Sequence, residues 1–517
     1  MIPVASPQGS IDLRRYLINI GWSWAGVAVT LVVGFFLSPF IIHRIGDSHF
    51  GLWSLTLSFV EYYWLIDLGF RSATLKYSAK YQAEGNTARL NELLSTGLTY
   101  SAVAGVLVLA LTLALAPYLG RVLHTNDPVF ATLIRIVGLS WALGLVFNRY
   151  SAFLEGFQRF DITSRIWIAS MIARTMATVA VLMAGQGLVS MALVLMASQL
   201  LAYLLSYAEL RRVFRAHDVG WRKATVRMLR EMASYGVHSL TIGIGSRLLA
   251  QIAPFLIAIL LPVRYVAYWA VPYRLLDYAM EGVGRIGMVT TPNAARLQAK
   301  GGSDSLIRLG IYSNRYCLTL YMPLTVMLCV YGYEFMALWI RPDFAATSAP
   351  LFRVLLLGTT AVAGQFNSNS ILCGLGTHKI YARSLLAEAL LAVAGMAFAI
   401  PRYGILGAAV VTATLAFLNR GVICGILAAR ELKTPALTYL AQIYIRPLVA
   451  GSVAAAALLW LKLHSIAGRS WLQLGAAGTV LVVLYGILAF AICLNPQHRR
   501  LVLLKLRSGA RQAASGA

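Results

Sequence analysis

Polar residues along this chain punctuate long apolar runs instead of alternating with apolar ones. A helix needs roughly 20 apolar residues to cross a bilayer core. Runs of that length recur near 18–42, 50–69, 93–116, 130–150, 162–184 and 187–208. Six more lie near 233–261, 264–290, 308–333, 349–374, 380–400 and 404–429, and a last two near 440–463 and 471–494. The pattern predicts fourteen transmembrane spans. Gly185–Gly187, Pro262 and Pro401–Gly404 are connections short enough to fix antiparallel hairpins. The first run is too long for the apolar segment of a cleavable signal, and no positive charge precedes it in residues 1–10.

The polar connections set an orientation. With the N-terminus in the cytoplasm, the loops on the far side hold only Arg44, Arg121, Arg264, Arg341, Arg402 and Arg469. Most of the remaining Lys and Arg fall in cytoplasmic segments, as the positive-inside rule requires. Both termini are then cytoplasmic. The richest loop, Arg211–Arg230, lies between spans six and seven. The expected organisation is an N-terminal lobe over 1–210, a basic linker over 211–232, and a C-terminal lobe over 233–431. Two further spans occupy 432–494, and a basic tail fills 495–517.

The halves are related. Residues 79–85 (AKYQAEG) parallel 295–301 (ARLQAKG) at an offset of 216, and 133–137 (LIRIV) parallel 351–355 (LFRVL) at 218. The second offset also places Gly156 on Gly374 and Arg165 on Arg383. Six spans restore the original orientation, so the repeat is parallel, with its axis along the membrane normal.

Composition narrows the function. Only 12% of the 517 residues are charged and 59% are hydrophobic, against about 25% charged in soluble proteins. Soluble enzyme folds are excluded. A net charge of +25 suggests nucleic acid in a soluble domain, but cytoplasmic loops account for it here, so no nucleic-acid partner is expected. The five cysteines are scattered without metal-ligand spacing, which predicts neither metal nor disulfide framework. Gly282-Val283-Gly284-Arg285-Ile286-Gly287 matches a dinucleotide fingerprint, but it lies in a transmembrane helix with no strand before it. With no nucleotide loop and no catalytic triad, the chain reads as a non-enzyme without cofactors.

Chemistry is concentrated in the ionisable residues inside the spans. These are Arg135, Arg174, Arg247, Arg274, Arg315, Arg353, Arg420, Arg446 and Lys462, with Glu61, Asp67, Asp277, Glu281 and Glu388. Each costs about 2.5–3.5 kcal/mol at a helix centre, so each should meet a partner or a wet cavity. Arg274, Asp277, Glu281 and Arg285 share one helical face; they either neutralise one another along the helix or line a space between the halves. Arg247 and Gln251 repeat the idea at i,i+4. The cluster Gln365, Asn367, Ser368 either lines a cavity or bonds helix to helix. The cationic excess suits an anionic substrate, and arginine holds phosphate bidentately. The substrate-binding candidates are Arg174, Arg247, Arg274, Arg315, Gln251, Gln365 and Asn367. The ion-coupling candidates are Glu61, Asp67, Asp277 and Glu281, with Glu61 and Asp277 coinciding at the offset of 216; a structural ion pair is the competing role.

Leu37-Ser38-Pro39, Ile45-Gly46, Phe50-Gly51-Leu52-Trp53 and Ile66-Asp67-Leu68-Gly69-Phe70 resemble the opening of bacterial polysaccharide flippases. These belong to the multidrug/oligosaccharidyl-lipid/polysaccharide (MOP) exporter superfamily, whose architecture is MATE-like. The segment 153–160 (FLEGFQRF) is similar to that family's next pattern, and 371–379 is its second-half counterpart. The resemblance covers nearly the whole chain. It implies an all-α polytopic protein of the bacterial inner membrane, with two six-helix lobes and two C-terminal helices. It implies alternating-access transfer of a lipid-linked oligosaccharide, carried on undecaprenyl diphosphate, for O-antigen, lipopolysaccharide or exopolysaccharide synthesis. Membrane lipids, a polysaccharide polymerase and glycosyltransferases are the partners to expect. Three alternatives are a multidrug cation antiporter, which needs an acidic cavity; a membrane-embedded glycan ligase, which needs a large outer catalytic loop; and a scaffold, which needs no buried charge. The longest outer loop is expected at Glu334–Ala349, too small for a ligase.

Overall fold

A computed structural model describes residues 13–67, 69–123, 125, 127–299, 302–377, 379–500 and 504. Among them every regular element is helical. Helix α1 (Leu13–Glu61) is two helices broken at Gly46, where φ is 78°. Only glycine takes that left-handed backbone without cost. The second half runs through a 3₁₀ turn, Tyr62–Asp67, into α2 (Phe70–Ala83). Then follow α3 (Thr87–Val122), α4 (Pro128–Gly156), α5 (Phe160–Met183) and α6 (Leu188–Val213). Next are α7 (Val226–Leu260), α8 (Arg264–Ala299), α9 (Ser303–Trp339), α10 (Pro342–Ala363) and its continuation α11 (Phe366–Gly374). Helix α12 (Lys379–Leu415) is again two helices, broken at Gly404, and leads through a π turn, Ala416–Ile423, into α13 (Cys424–Glu431). Two further helices follow, α14 (Ala436–His464) and α15 (Trp471–Leu488), the second continuing into a π turn at Ala489–Cys493. Counted with their continuations, the described residues form fourteen long helices, two sets of six and a final pair; they hold ten stretches long and apolar enough to cross a membrane, two of which contain the broken pairs at Gly46 and Gly404.

Packing divides the chain into Met1–Ala270 and Val271–Ala517. The first unit centres on Phe70, Tyr77, Leu93, Phe153, Phe214 and Met228. In the second, α14 and α15 lie along α9 through Met322, Ala450, Ala454, Leu458 and Leu481. Outward faces are apolar, as lipid requires: Val106 is 67% exposed and Leu390 72%.

The repeat is visible inside each unit. Near the end of α4, Gly156 lies against the Leu75 carbonyl and Ser78 of α2; at the end of α11, Gly374 lies against the Thr291 carbonyl and Ala294 of α8. Leu75 and Ser78 plus 216 are Thr291 and Ala294. The turns that follow also agree, with Gln158 at φ 59° and Gly376, its counterpart at 218, at φ 74°.

Two expected boundaries change. The outer loop placed at Glu334–Ala349 shrinks to Ile340–Arg341, because α9 runs to Trp339 and Pro342 starts α10. Proline is suited to the first helical position, where its missing N–H costs nothing. The basic segment after α6 is a fixed strap that ends at Thr225, whose side chain caps α7 by accepting from the Met228 N–H. Asn91 of α3 donates to the Ala216 carbonyl and accepts from the Asp218 N–H, both at 3.0 Å, and the Thr225 N–H donates to Thr96. His217 tucks against Tyr207 and Phe214. Burial holds its imidazole below the usual value, and Arg211 adds to the effect.

Candidate functional site

A polar interior of the first unit is built by three segments. Asp67 ends the 3₁₀ turn that follows α1, so its carboxylate faces inward where the chain re-enters a helix. Its Oδ1 accepts from Arg149 of α4, and its Oδ2 accepts the Arg71 N–H at 3.2 Å. The Arg149 Nε donates to Ser101 of α3 at 2.7 Å. This ion pair is almost fully out of solvent, at 3% and 9% side-chain exposure. One turn further, Arg71 holds both oxygens of Glu155 at 2.7 and 2.8 Å. A buried charge is tolerable only when paired and hydrogen-bonded, and both pairs meet that condition.

Beside the pairs is a cavity of about 140 Å³, lined by Asp67, Arg71 and Arg149 together with Trp141, Asn148, Gln199 and Tyr203. Gly144 of α4 leaves room for the Tyr203 hydroxyl of α6, which lies 2.6 Å from where a Cβ would stand. Ser140 donates to the side-chain amide oxygen of Gln199, tying α4 to α6.

The second unit carries the same frame with different chemistry. Ser101 plus 216 is Cys317, Arg149 plus 218 is Asn367, and Asp67 plus 216 is Val283. The Asn367 amide donates to the Cys317 Sγ at 3.0 Å, as Arg149 does to Ser101. The charge pair is present in the first repeat and replaced by a neutral contact in the second. The second unit has its own pair elsewhere: Glu388 of α12 accepts from Arg420 at 3.1 Å and from Asn419 at 2.8 Å.

Of the residues singled out from sequence, Asp67 alone lines the cavity. Glu61, Arg174 and Gln251 are half-buried on α1, α5 and α7, while Arg274, Asp277 and Glu281 are exposed on α8. The side chains of Arg247 and Arg285 lie outside the described residues. Arg315 is buried, donates to the Gln442 carbonyl of α14 at 2.7 Å and lies over the Tyr312 ring. Gln365 and Asn367 belong to an interhelical network with Asn314, Ser368 and Tyr439. Arg149, Arg71, Trp141, Asn148, Gln199 and Tyr203 were missed. Arg149 lies close to the predicted end of span four and so passed for a loop cation. The offset of 218 pairs it with Asn367 and is the signal that finds it.

A family model described as "Polysaccharide biosynthesis protein" matches residues 17–298. The "Uncharacterized membrane protein EpsK" of Bacillus subtilis (strain 168) is 22% identical, over 95% of this chain and 98% of that protein. Among solved structures, the lipid II flippase MurJ in an inward closed conformation is similar at a TM-score of 0.69 and 11% identity, covering 92% of this chain and 99% of that one. An inward-facing multidrug resistance MATE transporter of the MOP superfamily gives 0.64 at 12% identity, covering 81% and 98%.

Proposed function

Because the chain belongs to the polysaccharide biosynthesis protein family, we propose that it moves a lipid-linked oligosaccharide across the bacterial inner membrane by alternating access. The observation that carries this is the polar cavity of the first unit, with its buried Asp67–Arg149 pair. Charges at membrane depth are expensive and mark substrate pathways. The likeness to MurJ, a lipid II flippase, supports the same substrate class. The carrier is a polyprenyl diphosphate, whose tail stays in lipid while the head crosses. Both termini face the cytoplasm, because Lys and Arg gather in the segments on their side.

A multidrug cation antiporter is the second reading, favoured by the MATE-like fold. It needs a carboxylate available to a cation, whereas Asp67 is engaged by Arg149 and Glu388 by Arg420. Reconstitution separates the two. Proteoliposomes holding the full chain should speed transfer of an undecaprenyl-diphosphate oligosaccharide between leaflets and leave an organic dye cation unmoved. Dye transport without lipid transfer reverses the assignment.

A further inference from the structure

The cavity beside Asp67 exposes unfilled hydrogen-bonding capacity inside a packed bundle. Its charges are compensated: two arginines, Arg71 and Arg149, meet two carboxylates, Glu155 and Asp67. A phosphate entering it finds no surplus cation, and a metal ion finds no unclaimed carboxylate. What remains is neutral. The Trp141 indole, the Asn148 amide and the Tyr203 hydroxyl line the cavity, and the Arg71 Nη1 is buried there without an acceptor. A buried donor such as the Arg71 Nη1 costs free energy until something bonds it, and the neutral groups beside it are open to a ligand.

Flat aromatic faces together with planar amides and one hydroxyl are the groups that hold a sugar ring. An indole face covers the apolar C–H side of a pyranose, while amides and a guanidinium edge bond its hydroxyls in pairs. The volume, about 140 Å³, takes several waters or a single pyranose ring, and is too small for a disaccharide. The second repeat shows that this lining is not imposed by the fold. At the offset of 218, Trp141 becomes Thr359 and Asn148 becomes Phe366, and the Phe366 ring packs down on Gly284 of α8.

We infer that the first unit holds a monosaccharide subsite, formed by Trp141, Asn148, Gln199 and Tyr203 on the Asp67–Arg149 floor, that takes one neutral pyranose of the oligosaccharide. This rests on the flippase reading and assigns the sugar to a place separate from the diphosphate.

The test uses the purified full chain and native mass spectrometry. Two probes are compared: the lipid-linked oligosaccharide extracted from the cells that make it, and undecaprenyl diphosphate without sugar. The wild type should bind the first about tenfold more tightly, the worth of one or two good hydrogen bonds. Trp141→Ala and Asn148→Ala should each abolish that preference while leaving the bare carrier's affinity unchanged. Asn148 is exposed, so its variant keeps the test independent of folding. A preference that survives in both variants, or a wild type that does not distinguish the probes, overturns the subsite and leaves the flippase reading standing. A wild type that binds neither probe removes both.

Discussion

Asp67 and Arg149 show how one residue constrains another on a different helix. Asp67→Asn strands a guanidinium that is 3% exposed, and breaking a buried pair from one side costs about 3–5 kcal/mol. The second repeat supplies the neutral solution: Val283, Asn367 and Cys317. Asp67→Val with Arg149→Asn and Ser101→Cys should therefore recover most of the stability lost by Asp67→Asn, while surface-glycan export stays absent in both. Thermal unfolding in detergent and export from complemented cells measure the two halves of that expectation. A triple variant as unstable as the single one breaks the proposed correspondence. Asp67 was legible in the sequence because a carboxylate in an apolar run has no innocent place. Arg149 was not, since its partner comes from a helix 82 residues earlier and hydropathy carries no record of which helices touch.

Elements were legible where apolar length decided them and less so at their ends. Fourteen spans follow from run length, but the loop at 334–349 was overdrawn, because its two acidic residues, Glu334 and Asp343, lie within helices. Glu334 is held by Lys462 of α14 at 2.6 Å, a contact no local pattern announces. The strap after α6 was read as a basic linker, and its hydrogen bonds to α3 are the part that composition hides. His217 gives that strap a pH dependence. Burial lowers its pKa from 6.5, so the undocked strap takes up a proton more readily than the docked one. Docking is then complete above 6.5 and weakens as the pH falls through it. Hydrogen exchange of residues 214–225 should rise at pH 5.5, and His217→Phe should flatten the response. An unchanged profile in the variant assigns the effect to another group.

For the whole molecule, the repeat was legible from a few motif matches, and its physical content is close approach between helices. Gly156 and Gly374 each let one helix rest on a carbonyl of another: a Cβ added at Gly156 would stand 2.9 Å from the Leu75 carbonyl oxygen, and one added at Gly374 2.8 Å from that of Thr291. An added side chain must push those helices apart, and overpacking of that kind costs about 1–3 kcal/mol. Gly156→Leu and Gly374→Leu should each lower the unfolding temperature by a similar amount, because each disturbs the same joint in its own unit. A large loss in one and none in the other, read by thermal unfolding, makes the likeness of the two units superficial. Sequence alone left undecided which buried charges serve transport, because pairing along a helix and pairing between helices look alike in one dimension.

The seat of Tyr444 bears on how the protein is made. Its hydroxyl lies 2.7 Å from the Ala361 carbonyl, beside the break between α10 and α11, and 2.8 Å from the Gly421 carbonyl in the π turn. Both carbonyls lie where a helix ladder ends or widens, and the Ala361 carbonyl also accepts the Gly364 N–H at 3.1 Å. The single Tyr444 proton is shared between them, and lipid offers no donor in its place. A helix late in the chain thus completes the polar contacts of two that precede it, so the second unit finishes its packing only once α14 is inserted. A chain ending before Ala436 should be cleared from cells faster than the full chain, as pulse-chase labelling would show.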